Sequence, residues 1–537
     1  MKRTFTAFAL LLLAAGCSKE EAGDTGNGGT DLSQIAVAKL VTINAGAQYQ
    51  TIAGFGASDA WSPETVGTLW TSGRDGISES LFSREIVNGQ PRGIGLSMWR
   101  VNLGGGTAEQ GDESGIADAT RRAQSYLNDE GTGYDWTKCA GQRYFLDRAK
   151  SFGVEKVVLF SNTPPVQYTR NGKGYSDNGS HANLKDDRYD DFADYMADVA
   201  QHYLSLGYPV THISPVNEPQ YNWGYSSDGG QEGSGWANAE VARLARELDA
   251  SLTERNLPVD ILLGEAGDFT YLYSQASGNA DRSDVIRNFF SPSSQNYVGD
   301  LAHVKKLICG HSYWTDGTWE GMRSVRSNLR QSAQQYGLEV WQSEWSMLGD
   351  GYSTDEFVGY DAASEMDIAL YMSKVIHNDL TVANVSSWSF WTSMDVPRWG
   401  QKCRFVLIAL GDGTNEFDIR NGEGAWKAAP TLWVLGNYSL FIRPGYHRIG
   451  LTLNESRSFF GSAYAAPDGK RIVAVYTNLS NKPVKLVETR ENFGSQVRSI
   501  VKYTTSASSS LHESVLNVSD PVMLDAESVT TVVYELE

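Results

Sequence analysis

The sequence predicts an α/β fold, a (β/α)8 TIM barrel with a side β-sandwich domain, and three observations carry it. Short apolar segments alternate with amphipathic helical ones from about residue 48 to about residue 424. Beyond that the texture turns to Val-, Tyr- and Thr-rich runs separated by polar turns. Two glutamates stand at the carboxyl ends of the fourth and seventh apolar segments, where such a barrel places its chemistry.

The strands are expected at residues 51–58, 95–103, 156–161, 211–216, 259–263, 306–311, 339–343 and 385–391. Helical periodicity lies between them. Phe192, Tyr195, Met196, Val199 and Tyr203 recur at helical spacing, as do Val241, Leu244, Ala245 and Leu248. Met322, Val325 and Leu329 repeat the pattern, followed by Ile368, Ala369, Met372, Val375 and Ile376. A doubly wound sheet is the rival. The even spacing and the lack of G-x-G-x-x-G after the first strand count against it.

After residue 424 helical patterning is expected to stop. Strands at 472–477, 484–489, 497–504, 515–518 and 530–536 read as an antiparallel sandwich, and 35–43, also β in character, is expected to join it. The resulting plan is a signal at 1–16, a tether at 17–32, joining strand at 33–47, the barrel at 48–424 and the sandwich at 425–537.

The chain has 537 residues, 41% of them hydrophobic and 20% charged, enough for a sizeable core. Its net charge of −19 opposes binding to a phosphate backbone, so no nucleic-acid partner is expected. Lys2 and Arg3 precede an apolar run from Phe5 to Ala15, a secretory signal too short to span a bilayer. Gly16-Cys17 resembles a bacterial lipoprotein processing box, and the acidic Ser18-Lys19-Glu20-Glu21 resembles a surface-export signal. Lipidation of Cys17 is therefore expected, with attachment to the cell envelope at the outer membrane, facing outward. The alternative is an ordinary cysteine at a secretory cleavage site. Cys139, Cys309 and Cys403 remain, so at most one disulfide forms. Cys309, in an apolar run, reads as a buried thiol.

The fourth strand ends Ser214-Pro215-Val216-Asn217-Glu218-Pro219 and the seventh reads Val340-Trp341-Gln342-Ser343-Glu344-Trp345-Ser346. Opposed carboxylates across a barrel mouth are what glycosidic cleavage needs, one protonating the leaving oxygen and the other attacking the anomeric carbon. Either glutamate alone reads better as a solvated charge; the pair does not. There is no H-E-x-x-H, closed metal cluster, G-x-S-x-G elbow or P-loop, and neither a metal nor a cofactor is implied.

Asn-Glu-Pro at strand four and Ser-Glu-Trp at strand seven resemble the large clan of retaining barrel glycosidases. Gln50-Thr51-Ile52-Ala53-Gly54-Phe55-Gly56-Ala57-Ser58 resembles the opening of glycoside hydrolase family 30. So do Ser161-Asn162-Thr163-Pro164-Pro165, Thr169-Arg170-Asn171-Gly172, Leu184-Lys185 and Phe441-Ile442-Arg443-Pro444-Gly445. The resemblance runs from about residue 48 to the C-terminus. It implies a retaining enzyme with Glu218 as acid/base, Glu344 as nucleophile and Asn217 as a contact to the sugar 2-hydroxyl. Tyr313, in His311-Ser312-Tyr313, is implied as an aromatic hydroxyl near the nucleophile, although many relatives have His-Trp-Tyr there.

Arg100 is expected to fix the nucleophile as a charged carboxylate, and Trp388 to be a sugar platform. Asp59 and Glu232 are expected to bind substrate hydroxyls, and Glu265 is a further competing carboxylate. Of tryptophans 61, 99, 223, 341, 345 and 391, about half are expected to be packing. The loop with Trp223 and Gln231-Glu232-Gly233, and Leu184-Lys185-Asp186-Asp187, resemble the endo-β-1,6-galactanase branch most. The expected partner is a β-linked polysaccharide or oligosaccharide. A β-1,6-glucanase or xylanase is the alternative, and a non-catalytic glycan-binding surface lipoprotein is the alternative of another class.

Overall fold

A computed structural model describes residues 36–177, 181–224, 230–348, 357–359, 361–397, 402–412 and 417–537. The expected signal, Cys17 and the tether lie outside the described residues.

Each expected strand of the first region is found: β1 (Gly54–Ser58), β2 (Met98–Asn102), β3 (Lys156–Phe160), β4 (Val210–Ser214), β5 (Asp260–Ile261), β6 (Leu307–His311), β7 (Glu339–Trp345) and β8 (Ser387–Phe390). They form one parallel sheet in the order β5-β4-β3-β2-β1-β8-β7-β6. The outermost strands, β5 and β6, also meet. Ile261 bridges Val304, Ala266 bridges Gly310, and the N–H groups of Cys309 and His311 donate to Leu263 and Ala266 at 2.9 and 2.7 Å. Gly264 permits this approach: at φ +120° it passes so close that a Cβ would fall 2.1 Å from the Cys309 carbonyl oxygen.

Strand parity sorts the side chains. Along β8, Ser387 and Ser389 face Met98 on β2, their hydroxyls 3.7 and 3.9 Å from its sulfur. Trp388 and Phe390 face the other way, into the helix layer with Trp345. The helices present the faces that their periodicity dictates. In Tyr189–Ser205 the residues Phe192, Tyr195, Met196, Val199 and Tyr203 are all buried, as are Val241, Leu244, Ala245 and Leu248 in Asn238–Glu254. Burying each large side chain stabilises by about 1.5–3 kcal/mol relative to exposure, which positions the helices against the sheet.

The second region is a nine-stranded sheet. The N-terminal strand Val37–Thr51 lies inside it, antiparallel to His447–Leu453 and parallel to Val484–Glu491. Arg471–Asn478, Val497–Ser506 and Ser528–Leu536 match expected strands. His447–Leu453 and Phe459–Ala465 were not expected, because Gly, Ser and Ala interrupt their apolar alternation. The strand expected at 515–518 is Ser509–Leu516 instead. Val515 and Val518 are exposed, and pairing with Val497–Ser506 sets the register.

One expectation is overturned: helical structure does not stop at 424. Pro430–Ser439 is an α-helix opened by Pro430, and Thr431, Leu432, Val434, Leu435, Gly436 and Tyr438 are buried around most of its circumference. A helix apolar on nearly every face lacks the one-sided period that would reveal it. It joins the two regions. The Tyr438 ring lies 6.1 Å from Phe55 on β1, and Asn437 bonds the Tyr503 carbonyl and the Thr531 hydroxyl at 3.1 and 3.0 Å.

Removing residues 425–537 strips this helix from the apolar face it covers. The truncated chain is expected to be insoluble; a soluble, fully active 1–424 fragment in a sedimentation and activity assay would contradict this account.

Candidate active site

The carboxyl ends of β2, β4, β5, β6 and β7 converge on one buried cluster of charges. Three carboxyls and two cations meet there: Glu218, Glu265 and Glu344, with Arg100 and His311. Arg100 stands in the middle of β2 on the same parity as Met98. Its guanidinium lies 3.6 Å over the Phe160 ring and donates to Glu344 Oε2 at 2.5 Å, Asn217 Oδ1 at 3.0 Å and Ser58 Oγ at 3.1 Å. It also stands 3.4 Å from Glu265 Oε2.

His311, at the end of β6, spans two acids. Its Nδ1 is 2.9 Å from Glu218 Oε1 and its Nε2 is 2.9 Å from Glu265 Oε2. Burial favours the neutral ring, but Glu344's charge and the hydrogen bonds to Glu218 and Glu265 override it, and the imidazole pKa rises from 6.5 to about 10. A protonated ring donates from both nitrogens.

The glutamates differ in surroundings. Burial pushes Glu265 up, yet the Arg100 charge and hydrogen bonds from His311 and Ser343 outweigh it and hold it well below the usual carboxylate range. Ser214 and Ser343 donate to it at 2.7 and 2.6 Å. Glu218 goes the other way: burial raises it, Glu344's charge adds to this, and His311 and Arg100 only partly offset them. Glu344 accepts from Arg100 on one oxygen and from the Tyr313 hydroxyl, at 3.0 Å, on the other. With two cations and three carboxyls, the cluster is neutral when one carboxyl holds a proton, and Glu218 is the one whose surroundings favour it.

Glu218 is also aimed by its backbone. Its φ is +42°, in the left-handed region, a conformation costing roughly 1–2 kcal/mol for a residue with a Cβ. The Glu218 N–H donates to the Glu265 carbonyl at 2.9 Å, and its own carbonyl accepts from Tyr221 N and Trp223 Nε1 at 3.1 and 3.0 Å. Ligand-type atoms of Glu218, His311 and Glu344 lie within 4.8 Å of one another. A trio so spaced could ligate a cation, but both imidazole nitrogens are engaged with carboxylates here. One carboxylate oxygen of Glu218 and one of Glu344 thus lie within 4.8 Å of each other.

Glu218, Glu344, Asn217, Arg100, Tyr313 and Trp223 thus come together. Three expected substrate contacts do not join them. Asp59 is 1% exposed, with both oxygens taken by Asn102 N and Gln142 Nε2 at 2.8 and 2.9 Å; burial raises its pKa to about 7. Glu232 is likewise buried and raised to about 7, accepting from Gly105 N and Thr107 Oγ1 at 3.0 and 2.6 Å, so it ties loops together. Trp388 is fully buried on the helix side, its Nε1 donating to Asp379 Oδ2 at 2.9 Å. The side chain that reaches the mouth from β8 is Trp391, on the opposite parity, with its ring 6.3 Å from Phe160.

Trp99, Trp341 and Trp345 are buried; Trp61, Trp223 and Trp391 are half-buried. Residues given no role in the sequence are His311, Glu265 as a charge anchor, and the half-exposed Trp314, whose ring lies 5.8 Å from Tyr221. His311 had a signal, since it stands two residues before Tyr313 at a strand end. Cys139, Cys309 and Cys403 are all free and buried.

A parallel α/β sheet that gathers paired carboxylates, an arginine and aromatic side chains at its carboxyl end carries the groups that glycosidic cleavage uses. Residues 38–401 match the sequence profile of O-glycosyl hydrolase family 30, and the chain belongs to that family. It is 26% identical over 390 residues to the endo-β-1,6-galactanase of Hypocrea rufa, spanning 70% of each chain. It is 24% identical over 520 residues to the glucuronoxylanase XynC of Bacillus subtilis, spanning 94% of each. Among solved structures, a conserved exported protein from Bacteroides fragilis superposes with a TM-score of 0.83 at 30% identity, over 92% of this chain and 100% of that one. The chain is an O-glycosyl hydrolase, and its substrate is a polysaccharide or oligosaccharide.

The raised imidazole pKa has a thermodynamic consequence. Folded His311 keeps its proton where unfolded His311 has lost it, so its contribution is full below pH 6.5 and disappears as pH rises to about 10. Denaturation midpoints of the wild type are therefore expected to fall relative to those of His311→Asn across that window. Parallel pH profiles for the two proteins would show that the ring is not protonated in the fold.

Proposed function

We propose that this enzyme is a retaining glycosidase acting by double displacement on β-linked polysaccharide, an endo-β-1,6-galactanase with β-1,6-galactan as substrate. The observation that carries the mechanism is the close approach of Glu218 and Glu344 in unlike surroundings. Glu344, oriented by Arg100 and Tyr313, attacks the anomeric carbon. Glu218, carrying the proton, delivers it to the departing glycosidic oxygen and then, as a carboxylate, draws a proton from the water that releases the glycosyl-enzyme. Asn217, held by Arg100, contacts the 2-hydroxyl.

The architecture behind this reading is a closed (β/α)8 barrel at 48–424, supported by the bridges between β5 and β6, with a β-sandwich at 425–537 joined by 33–47. The buried side chains Val41, Ile43, Ile449, Phe459, Val532 and Tyr534 form a separate core that supports the sandwich. The processing box at Cys17 supports a lipid anchor holding the enzyme at the cell surface, a location suited to polymer degradation.

Substitution separates the roles. Glu344→Gln is expected to abolish turnover on every substrate. Glu218→Gln is expected to lose about 10²–10⁴-fold on natural glycan and much less on an aryl glycoside whose leaving group departs unprotonated. NMR of the first product is expected to show the β anomer; an α anomer, or equal losses on both substrate types, removes these assignments.

The galactan assignment draws on the likeness to the Hypocrea rufa galactanase and on the loops around Trp223 and Gln231. Reducing-end release is expected on β-1,6-galactan above β-1,6-glucan and xylan. Release on xylan alone would favour the second reading, a xylanase, which the likeness to the glucuronoxylanase also supports.

A further inference from the structure

The proposed mechanism leaves a fully buried ion pair without a part. Arg326, on the helix Trp319–Gln335, donates from Nε to Asp379 Oδ1 at 2.7 Å, and each side chain is 0% exposed. Asp379 opens the turn Asp379–Ala383 that follows the helix Glu365–Asn378. Its second oxygen accepts from Trp388 Nε1 at 2.9 Å and from the Ser312 hydroxyl at 3.2 Å. Burial raises the Asp379 pKa, and the Arg326 charge with the hydrogen bonds from Trp388 and Ser312 opposes that rise. Such a pair adds little stability, because desolvation offsets most of the attraction and apolar side chains of similar volume often serve as well. Its contacts show where it acts instead.

Arg326 and Asp379 grip the two ends of the turn that follows β6. At one end Asp379 accepts the Ser312 hydroxyl. At the other, Arg326 Nη1 donates to the Thr315 carbonyl at 2.6 Å and to Thr315 Oγ1 at 3.3 Å. The Thr315 hydroxyl closes the turn, donating to the Ser312 carbonyl at 3.0 Å. Between these ends lie Tyr313 and Trp314. Tyr313 is buried, with its hydroxyl donating to Glu344 Oε1 at 3.0 Å. Trp314 is half-exposed and has a φ of +52°. A residue with a Cβ keeps that left-handed backbone only where its surroundings hold it.

We infer that Arg326 and Asp379 are positioning residues for the reaction: acting as one buried clamp on Ser312 and Thr315, they place the Tyr313 hydroxyl against Glu344. Neither touches a substrate, since neither side chain has exposed surface. They act on the nucleophile through the turn. Trp388 joins the clamp from β8, the strand beside the one that carries Glu344. A misplacement of about 1 Å that originates far from the chemistry can cost about 10²-fold in rate, so a slack turn is felt in turnover. This inference rests on the proposed role of Glu344 as nucleophile.

Two variants loosen opposite ends of the turn. Ser312→Ala removes the hydroxyl that Asp379 holds. Arg326→Lys keeps a cation beside Asp379 but replaces the fork that reaches Asp379 and Thr315 together. On whichever of β-1,6-galactan, β-1,6-glucan and xylan the wild type cleaves, kcat is expected to fall about 10- to 10²-fold in each. In a Tyr313→Phe background the same substitutions are expected to cost less than about twofold, because the hydroxyl they position is already gone. A pair that only supports the fold would give equal losses in both backgrounds, and that result overturns the inference. So does wild-type kcat in the variants that circular dichroism shows to be folded. Ser312→Ala, which deletes one oxygen, decides the matter where Arg326→Lys does not fold. Crystal structures of the variants give a readout independent of turnover. The Tyr313 hydroxyl is expected to lie beyond hydrogen-bonding reach of Glu344, and an unchanged bond overturns the inference. Cleavage of none of the three glycans by the wild type overturns the proposed function, and the crystal structures then decide the clamp by themselves.

Discussion

Burying three carboxyls together at one end of a parallel sheet is the constraint on which the rest of this structure depends. Isolated, each carboxylate would carry a desolvation cost of several kcal/mol. The fold meets it with two cations that are themselves buried, Arg100 and a protonated His311, each shared between acids. Because each cation bridges strands, the electrostatics also fix geometry. Arg100 holds β2 against β7 and the loop after β4, while His311 holds β6 against the ends of β4 and β5.

The same balance makes two chemically identical side chains unequal. Glu265 accepts from two serine hydroxyls and from His311 and stands 3.4 Å from the Arg100 guanidinium, so it serves as a permanent negative anchor. Glu218 has fewer compensating partners and an inverted backbone turn that brings it toward Glu344. In the proposed mechanism that inequality supplies the acid. The strain at φ +42° is held by hydrogen bonds on both sides of the residue, one to Glu265 and two from Tyr221 and Trp223. Glu218 and the aromatic residues Tyr221 and Trp223 are thereby mechanically connected.

Buried acids outside this cluster show how little a carboxylate's place near a strand end says about its role. Asp59 and Glu232 are as deeply buried as Glu218, and burial raises their pKa values too. Their oxygens, however, are fully occupied by backbone and side-chain donors that hold the loops around the mouth. What separates them from Glu218 and Glu344 is their partners: Asp59 and Glu232 accept from backbone N–H groups and neutral side chains, whereas Glu218 and Glu344 share the cluster held by His311 and Arg100.

The sequence by itself determined the alternation of eight strands with amphipathic helices, because one-sided burial imposes a period on the chain. It also determined the positions of Glu218 and Glu344 and the presence of Arg100 and Tyr313 near them, through motifs bound to strand ends. It could not reveal the helix at Pro430–Ser439, which is buried nearly all round and so carries no period. Nor could it tell Trp388 from Trp391, since one step of parity sends one ring into the helix layer and the other to the mouth. The protonation of His311 and the anchoring role of Glu265 were decided only by tertiary structure. Both depend on charges from strands far apart in sequence, brought within hydrogen-bonding distance by the order in which those strands pair.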